Sequence, residues 1–327
     1  MACAIAAARE AYKYPDWRPF AEICRDWANE LLTPILCAGD TDTLVAITLL
    51  LVYELADPRR GIVWELLDLA ARTCLQLGWH QTSHGSSSKK TVEHNVDTMS
   101  HTSLYSQGEI NLMLVLRDIA SSLQTVFNRP NMLRHLNLPH RAPQERLIEL
   151  HIRTSDLIYG AGRLCEIKAC PCVGEASILM GLLESVDRSH LVVKETWLLY
   201  LPLCLKHRQC VHCFQEPGEP TARGMTWLRR NLMKSASELI AEVHRDATLT
   251  EGFTPPIIAS ARSLIAGLAI TTGIFKEWIV LGPHVRDIIL CTEILTMFAP
   301  HWCGGQGYLR VWRTLLDHIQ FGSLQLR

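Results

Sequence analysis

Two helical segments are joined by the stretch Val52-Tyr53-Glu54-Leu55-Ala56-Asp57-Pro58-Arg59-Arg60-Gly61, and this stretch decides the fold. Upstream of it, apolar residues recur at helical spacing from Leu44 to Leu51, after Asp40, which can cap a helix. Pro58 disfavours helix in the residue before it, so the first helix is predicted to end there. A second helical face follows in Trp64-Glu65-Leu66-Leu67-Asp68-Leu69-Ala70-Ala71-Arg72 and Leu75-Gln76-Leu77-Gly78-Trp79-His80, where Gly78 can form a left-handed C-cap. Two amphipathic helices joined by about five residues form an antiparallel helical hairpin.

The rest of the chain continues the helical pattern, and no segment alternates as a strand would. We therefore predict an all-α fold, one large domain of antiparallel helices over residues 1–327. Residues 81–108 contain many Ser and His and have no apolar period, so they are predicted to form a disordered or inserted loop. Three later apolar stripes are predicted to face the core: Leu228, Leu232, Ala236, Leu239 and Val243; Val285, Ile288, Ile289, Thr292 and Leu295; and Tyr308, Val311, Trp312, Leu315 and Ile319.

Composition and charge exclude several classes of protein. The net charge is −1, without the basic excess of a domain that grips nucleic acid by its phosphates. The twelve cysteines have no regular spacing and no secretory signal precedes them, so we expect reduced thiols in an intracellular protein. The apolar stretches 44–56 and 263–275 are shorter than the roughly 20 residues of a membrane span, so both are interpreted as core helices.

Residues 52–80 resemble the middle homology domain of fungal-specific transcription factors of the zinc-cluster family. In that family a helix ending in Tyr-Glu leads by a short turn to a helix with an Ala-x-Arg element that closes in Leu-Gly-x-His. Residues 116–139 are similar to the next family landmark, an Asp-bearing helix followed by a Gly-Arg-Pro turn. Here Asn128 stands in place of Gly and tolerates the same left-handed conformation. The matching residues are Tyr53, Glu54, Arg60, Gly61, Ala70, Arg72, Leu77, Gly78, His80, Asp118, Arg129 and Pro130.

The resemblance implies a nuclear regulator of transcription, such as that of a pathway gene cluster, which acts through its helical regulatory domain and is not an enzyme. It implies a homo- or heterodimer with another zinc-cluster factor and a small-molecule effector as partners. The sequence departs from the family at 98–107, where an Arg-rich segment with Phe-Trp is usual, and it lacks the six-cysteine zinc cluster that reads DNA. We therefore expect DNA binding only indirectly, no membrane, and no cofactor in this chain, with zinc only in a cluster upstream of it.

Three further patterns are candidate sites. His207, Cys210 and Cys213 share a helical face and are possible zinc ligands, although buried thiols explain them as well. Gly304-Gly305-Gln306-Gly307 precedes a helix and resembles a phosphate-binding turn, but no Lys-Ser/Thr follows, and a flexible turn between helices is the alternative. Several tryptophans lie in helical patterns, which indicates core packing or an apolar effector pocket.

Catalysis remains an alternative function. The sequence contains no Gly-x-Ser-x-Gly or His-Glu-x-x-His motif, but a triad is defined by geometry and can be assembled from distant residues. The alternatives to a transcription regulator are a small-molecule-binding protein or enzyme on the same helical scaffold, or an inactive truncated paralogue.

Overall fold

The computed structural model describes residues 1–79, 106–127, 190–206, 220–248 and 254–325, together with a few positions between 133 and 187. Over these residues it contains eleven α-helices, one 3₁₀ helix at Ala299–His301 and no strand, which confirms the all-α prediction. The helices are α1 (Ala2–Glu10), α2 (Trp17–Leu36), α3 (Thr41–Ala56), α4 (Val63–Gln76), α5 (Gln107–Phe127), α6 (Leu191–Leu198), α7 (Leu201–Lys206), α8 (Pro220–Thr248), α9 (Pro256–Phe275), α10 (Leu281–Phe298) and α11 (Gly305–Gln325).

The α3–α4 hairpin forms as the sequence predicts. The Asp40 carboxylate accepts a hydrogen bond of 2.9 Å from the Thr43 backbone N–H, and the Thr43 hydroxyl accepts one of 3.2 Å from the Asp40 N–H. This capping box satisfies two amide groups that the first turn of α3 would otherwise leave without partners. Gly61 and Gly78 adopt φ values of 73° and 76°, the left-handed conformation that ends one turn and one helix.

The apolar helix α9 lies at the centre of the described structure. It packs against α3, α5, α6, α8, α10 and α11, and it contributes side chains to both large hydrophobic clusters. Among the described helices, it is the one that is long and apolar enough to cross a membrane. However, 72% of its apolar 18-residue window is buried inside the protein, as in a core helix. The helix is longer than the apolar stretch 263–275 that the sequence analysis used, because it begins at Pro256 and continues through Arg262. The prediction that this segment is too short to span a membrane was therefore wrong.

The predicted core stripes are confirmed on α8 and only partly on α10 and α11. All five stripe residues of α8 are buried. Val285 and Ile289 on α10 and Val311 on α11 are exposed instead. The apolar faces of these two helices are therefore wider than the surface that their neighbours cover. The predicted loop 81–108 falls mostly outside the described residues, but Gln107 and Gly108 already belong to α5, so its predicted end was wrong.

Candidate functional site

The Tyr-Glu motif at the end of α3 is buried against α2. Glu54 accepts a hydrogen bond of 2.6 Å from the Arg25 guanidinium, and both side chains are almost completely buried. The same guanidinium carbon lies 5.2 Å from the centre of the Tyr53 ring, within range of a cation–π contact. Burial raises the pKa of the Glu54 carboxyl, and the charge of Arg25 opposes that rise.

The Arg25–Glu54 pair is incompletely satisfied. The Arg25 Nε and Nη1 atoms and the Glu54 Oε2 atom are buried and make no hydrogen bond. A bidentate pair would use two parallel N–H···O bonds, whereas this one uses a single bond. The pair therefore carries most of the desolvation penalty of two charges with little hydrogen bonding in return.

The turn after α3 is held to α2 by a second set of ion pairs. Arg59 donates to Asp57 within the turn and to Glu22 on α2, with hydrogen bonds of 2.6 Å from its Nε and Nη2 atoms. The motif residue Arg60 lies 3.6 Å from Asp26, also on α2. These pairs are solvent-exposed, so each contributes at most about 1 kcal/mol. They nevertheless fix the position of the turn relative to α2.

A small polar pocket lies where the motif helix α3 meets α1, α2 and the 3₁₀ helix. Its enclosed space is about 10 Å³, enough for a single water molecule. The Tyr12 hydroxyl donates a hydrogen bond to the Ala56 carbonyl, and the Tyr12 ring lies 4.5 Å from that of His301. The pocket is lined by Ala8, Ala11, Tyr12, Arg18, Ala21, Ala56, Asp57 and His301.

Two side chains that line the pocket have shifted pKa values. Burial lowers the pKa of His301, the charge of Arg18 lowers it further, and Asp57 opposes both effects. Burial also raises the pKa of Tyr12, so the phenol stays protonated and the imidazole stays neutral at pH 7. Perturbed groups of this kind converge at functional sites and in structural networks alike. The volume limits a ligand here to water or to one polar group of a larger molecule.

The other motif residues have structural positions. Ala70 is fully buried in the α3–α4 interface, and Leu77 precedes the Gly78 cap. Arg72 is exposed and pairs with Asp68 one turn earlier. Asp118 lies on α5 and interacts electrostatically with an ion pair between α6 and α9. The motif residues His80, Arg129 and Pro130 lie outside the described residues.

That ion pair belongs to a buried polar cluster that the sequence analysis missed. The Glu195 carboxylate accepts a hydrogen bond from Arg262, and both side chains are largely buried. Next to them, the Thr196 hydroxyl donates 2.6 Å to the Val192 carbonyl and lies 2.9 Å from His151 Nδ1. Because the hydroxyl has one proton, it must accept from the ring, so Nδ1 is the protonated nitrogen. Burial lowers the pKa of His151, with Glu195 opposing and Arg262 reinforcing the shift.

A serine, a histidine and an aspartate do come together between α8 and α10. His284 Nδ1 lies 2.9 Å from Asp287 Oδ2, and Ser237 donates 2.7 Å to the same carboxylate oxygen. In a catalytic triad the serine donates to the histidine, and the aspartate binds the other ring nitrogen. Here the Ser237 hydroxyl donates to the aspartate, and Ser237 lies 3.4 Å from Nδ1, the same ring nitrogen that faces the aspartate. This arrangement joins the two helices and does not activate the serine.

The remaining candidate sites have no support from the described residues. His207, Cys210 and Cys213 fall outside them, and the described part holds no group of three His, Cys, Asp or Glu placed for a metal ion. In the Gly304–Gly307 turn, packing explains Gly304 and Gly305, whereas a Cβ on Gly307 would meet nothing within 4 Å. A Cβ on Gly304 would lie 2.2 Å from the Trp302 ring, and one on Gly305 would lie 2.6 Å from the Ala299 carbonyl oxygen. These glycines therefore permit a close approach to the 3₁₀ helix.

The predicted core packing of the tryptophans in the helical patterns is confirmed. Trp197 and Trp312 are fully buried. Trp64, Trp227 and Trp278 are partly buried and pack against the two large hydrophobic clusters. Comparisons with protein-family models, curated proteins and solved structures found no match for this chain.

Proposed function

We propose that this chain is a transcription regulator of the fungal zinc-cluster type, acting in the nucleus through a helical regulatory domain of that family's fold. The observation that carries the proposal is the α3–α4 hairpin. The Tyr-Glu end, the short turn and the Ala-x-Arg helix carry the residues of the resemblance, and they form two consecutive helices with Glu54 buried against Arg25 of α2. The motif residues thus build a helical scaffold, which is what a regulatory domain requires of them.

One observation argues against serine catalysis where α8 meets α10. The Ser237, His284 and Asp287 side chains have the wrong hydrogen-bond order for a triad. The pocket beside Tyr12 favours a second candidate function, a binding protein or enzyme on this scaffold, because neutral His301 and protonated Tyr12 converge there.

The proposed mechanism is regulation through partners. A family member with its own zinc cluster supplies contact with DNA, and this chain alters the transcription that the complex supports. A small effector or a partner then shifts the equilibrium between two states of the domain, as any allosteric coupling requires. The chain itself requires no cofactor for this role.

The test is to tether the full chain to an unrelated DNA-binding module in a fungal host. A regulatory domain placed at a promoter in this way should raise or lower reporter transcription. The control is the DNA-binding module alone at equal abundance, and fluorescence of a tagged chain reports nuclear location. If a folded, nuclear fusion neither raises nor lowers transcription, the proposal is contradicted.

The second candidate has a different signature. A ligand with a polar group that enters the pocket should raise the melting temperature of the full chain, and His301→Phe should abolish that shift. A tethered chain without effect on transcription, together with such a ligand, would favour the binding protein or enzyme.

A further inference from the structure

The N-terminal layer, defined as residues 2–30, is attached to the rest of the protein mainly through small side chains. Besides each other, α1 and α2 pack chiefly against α3. Because an alanine buries only one methyl group, a contact between alanines removes far less apolar surface from water than the leucine-rich core around α9 does. The buried cluster of the layer with α3 is separate from that core and consists of five alanines and a tyrosine: Ala4, Ala7, Ala8, Ala21, Ala56 and Tyr53.

The buried ion pair between the layer and α3 adds little attachment. Arg25 and Glu54 share one hydrogen bond, while Arg25 Nε, Arg25 Nη1 and Glu54 Oε2 are buried without a hydrogen-bond partner. Both groups have lost their hydration in the closed layer, and all three atoms would find partners in water if the layer opened. The ion pairs of Arg59 and Arg60 with α2 are solvent-exposed and contribute little more.

The end of α2 has the features of a hinge. Pro34 lies inside the helix, and because a proline has no backbone N–H, the carbonyl of Glu30 loses its usual helical donor. The turn that follows is fixed to the body of the protein. Leu36 packs against the hydrophobic cluster between α3, α4 and α5, and the Thr43 hydroxyl donates a hydrogen bond of 2.6 Å to the Ile35 carbonyl. The helix is therefore weakened where the layer ends and the fixed turn begins.

Tyr12 makes the contact of the layer with the C-terminal half of the chain. It lies between α1 and α2, and its hydroxyl donates a hydrogen bond to the Ala56 carbonyl at the end of α3. Its ring lies against the rings of His301 and Phe298. These contacts of Tyr12 must break if the layer moves away from α3.

We propose that the N-terminal layer opens away from α3 as one unit, turning about the hinge at Pro34, while the rest of the domain stays folded. Opening gives up the alanine contacts and the Tyr12 hydrogen bond, and it returns Arg25 and Glu54 to water. Parts of a protein with few buried apolar contacts open at a lower free energy than the core does, and they open as cooperative units. The opening uncovers the Tyr-Glu motif of α3, so it is a two-state element of the kind that the proposed regulation requires.

The test is hydrogen exchange of the full chain, read by mass spectrometry, in urea concentrations below the unfolding transition. Peptides from residues 2–30 should exchange at least about tenfold faster than peptides from α9 and should share one opening free energy. Their exchange should also depend less on urea than that of α9, because opening the layer exposes less surface than global unfolding does.

Two variants separate opening of the layer from global unfolding. Tyr12→Ala should speed up exchange of all the layer peptides by one common factor of at least about ten, because the closed layer loses its largest contact with the body. Tyr14→Ala, which truncates a side chain that is 59% exposed two residues away, is the matched control and should leave the rates unchanged. Gly267→Ala, a clash inside the core of α9, should speed up exchange of α9 at least about fivefold but not that of the layer.

Fast and uniform exchange of the layer that responds to Tyr12→Ala, but not to Gly267→Ala, supports the proposal. Layer peptides that exchange as slowly as α9, or that speed up equally in Gly267→Ala, overturn it, because the layer then opens only by global unfolding. Exchange that is fast but unrelated between α1 and α2, or unchanged in Tyr12→Ala, also overturns it, since the two helices then do not move as one unit with Tyr12. None of these outcomes depends on whether the chain regulates transcription.

Discussion

Breaking the ion pair between Arg25 and Glu54 should destabilise the protein far more than removing both charges. The two side chains are 4% and 0% exposed, so either single substitution leaves a buried charge without its hydrogen-bonded partner. The exposed Asp26 carboxylate, 3.9 Å from Arg25 Nη1, compensates the guanidinium only weakly. Removing one partner of a buried pair costs about 3–5 kcal/mol, against a total stability of about 5–15 kcal/mol for a typical domain. The double variant Arg25→Met/Glu54→Leu should lie within about 1 kcal/mol of the wild type, because the native pair makes one hydrogen bond and leaves three polar atoms without any.

The two single variants should also differ in their response to pH. In Arg25→Met, burial has already raised the pKa of Glu54, so the carboxyl can take up a proton and the loss shrinks as the pH falls towards 5. In Glu54→Leu, the guanidinium of Arg25 cannot lose its proton, so the loss persists at every pH in that range.

The measurement is urea unfolding of the wild type, the two single variants and the double variant at pH 7 and pH 5, followed by circular dichroism. Arg72→Ala is the control, since its pair with Asp68 is exposed and worth about 0.5 kcal/mol or less. Single losses below about 1 kcal/mol, or a double variant as unstable as the sum of the singles, would refute the reasoning.

Two further predictions concern packing and protonation. Gly267→Ala should lower stability by about 1–3 kcal/mol in urea, because its Cβ would lie 2.7 Å from the Trp312 ring and 2.8 Å from the Cys291 sulfur. Gly282→Ala, where a Cβ meets nothing within 4 Å, is the matched control, and an equal loss there would contradict the packing argument. His301 has a lowered pKa in the folded state, so the unfolded chain binds its proton first and stability falls as the pH drops below about 6.5. His301→Phe should make that fall shallower. The change in the slope of unfolding free energy against pH should correspond to less than one bound proton, because the ring is partly exposed. An unchanged slope would show that His301 does not contribute.

The local features of the fold were predictable from the sequence, because short-range chemistry determines them. The start of α3 follows from Asp40 and Thr43, three residues apart, and the end of α4 follows from the left-handed Gly78. The Glu54 partner was not predictable. Arg25 lies 29 residues away on α2, and the sequence does not show that this side of α2 faces Glu54.

The same limit applies to the candidate sites. His151 and Thr196 are 45 residues apart and become neighbours only when α6 packs in the interior. The serine, histidine and aspartate of α8 and α10 show the converse. Their residue types fit a triad, but the order of their hydrogen bonds does not, and only coordinates give that order.

Helix α2 shows why periodicity alone does not tell which face of a helix is buried. A period of 3.6 residues shows that a helix has an apolar face, but it does not show what that face touches. On α2 the choice follows from size and charge, because Ala21 and Ala28 allow α1 and α3 to approach closely, and Arg25 has its buried partner Glu54 on that side. Rotating α2 so that Trp27 is buried would move Arg25 away and leave the Glu54 carboxylate without its cation. It would also force an indole ring into the space that an alanine occupies. The buried Arg25–Glu54 pair therefore keeps large apolar side chains of α2, such as Trp27 and Leu31, on its exposed side.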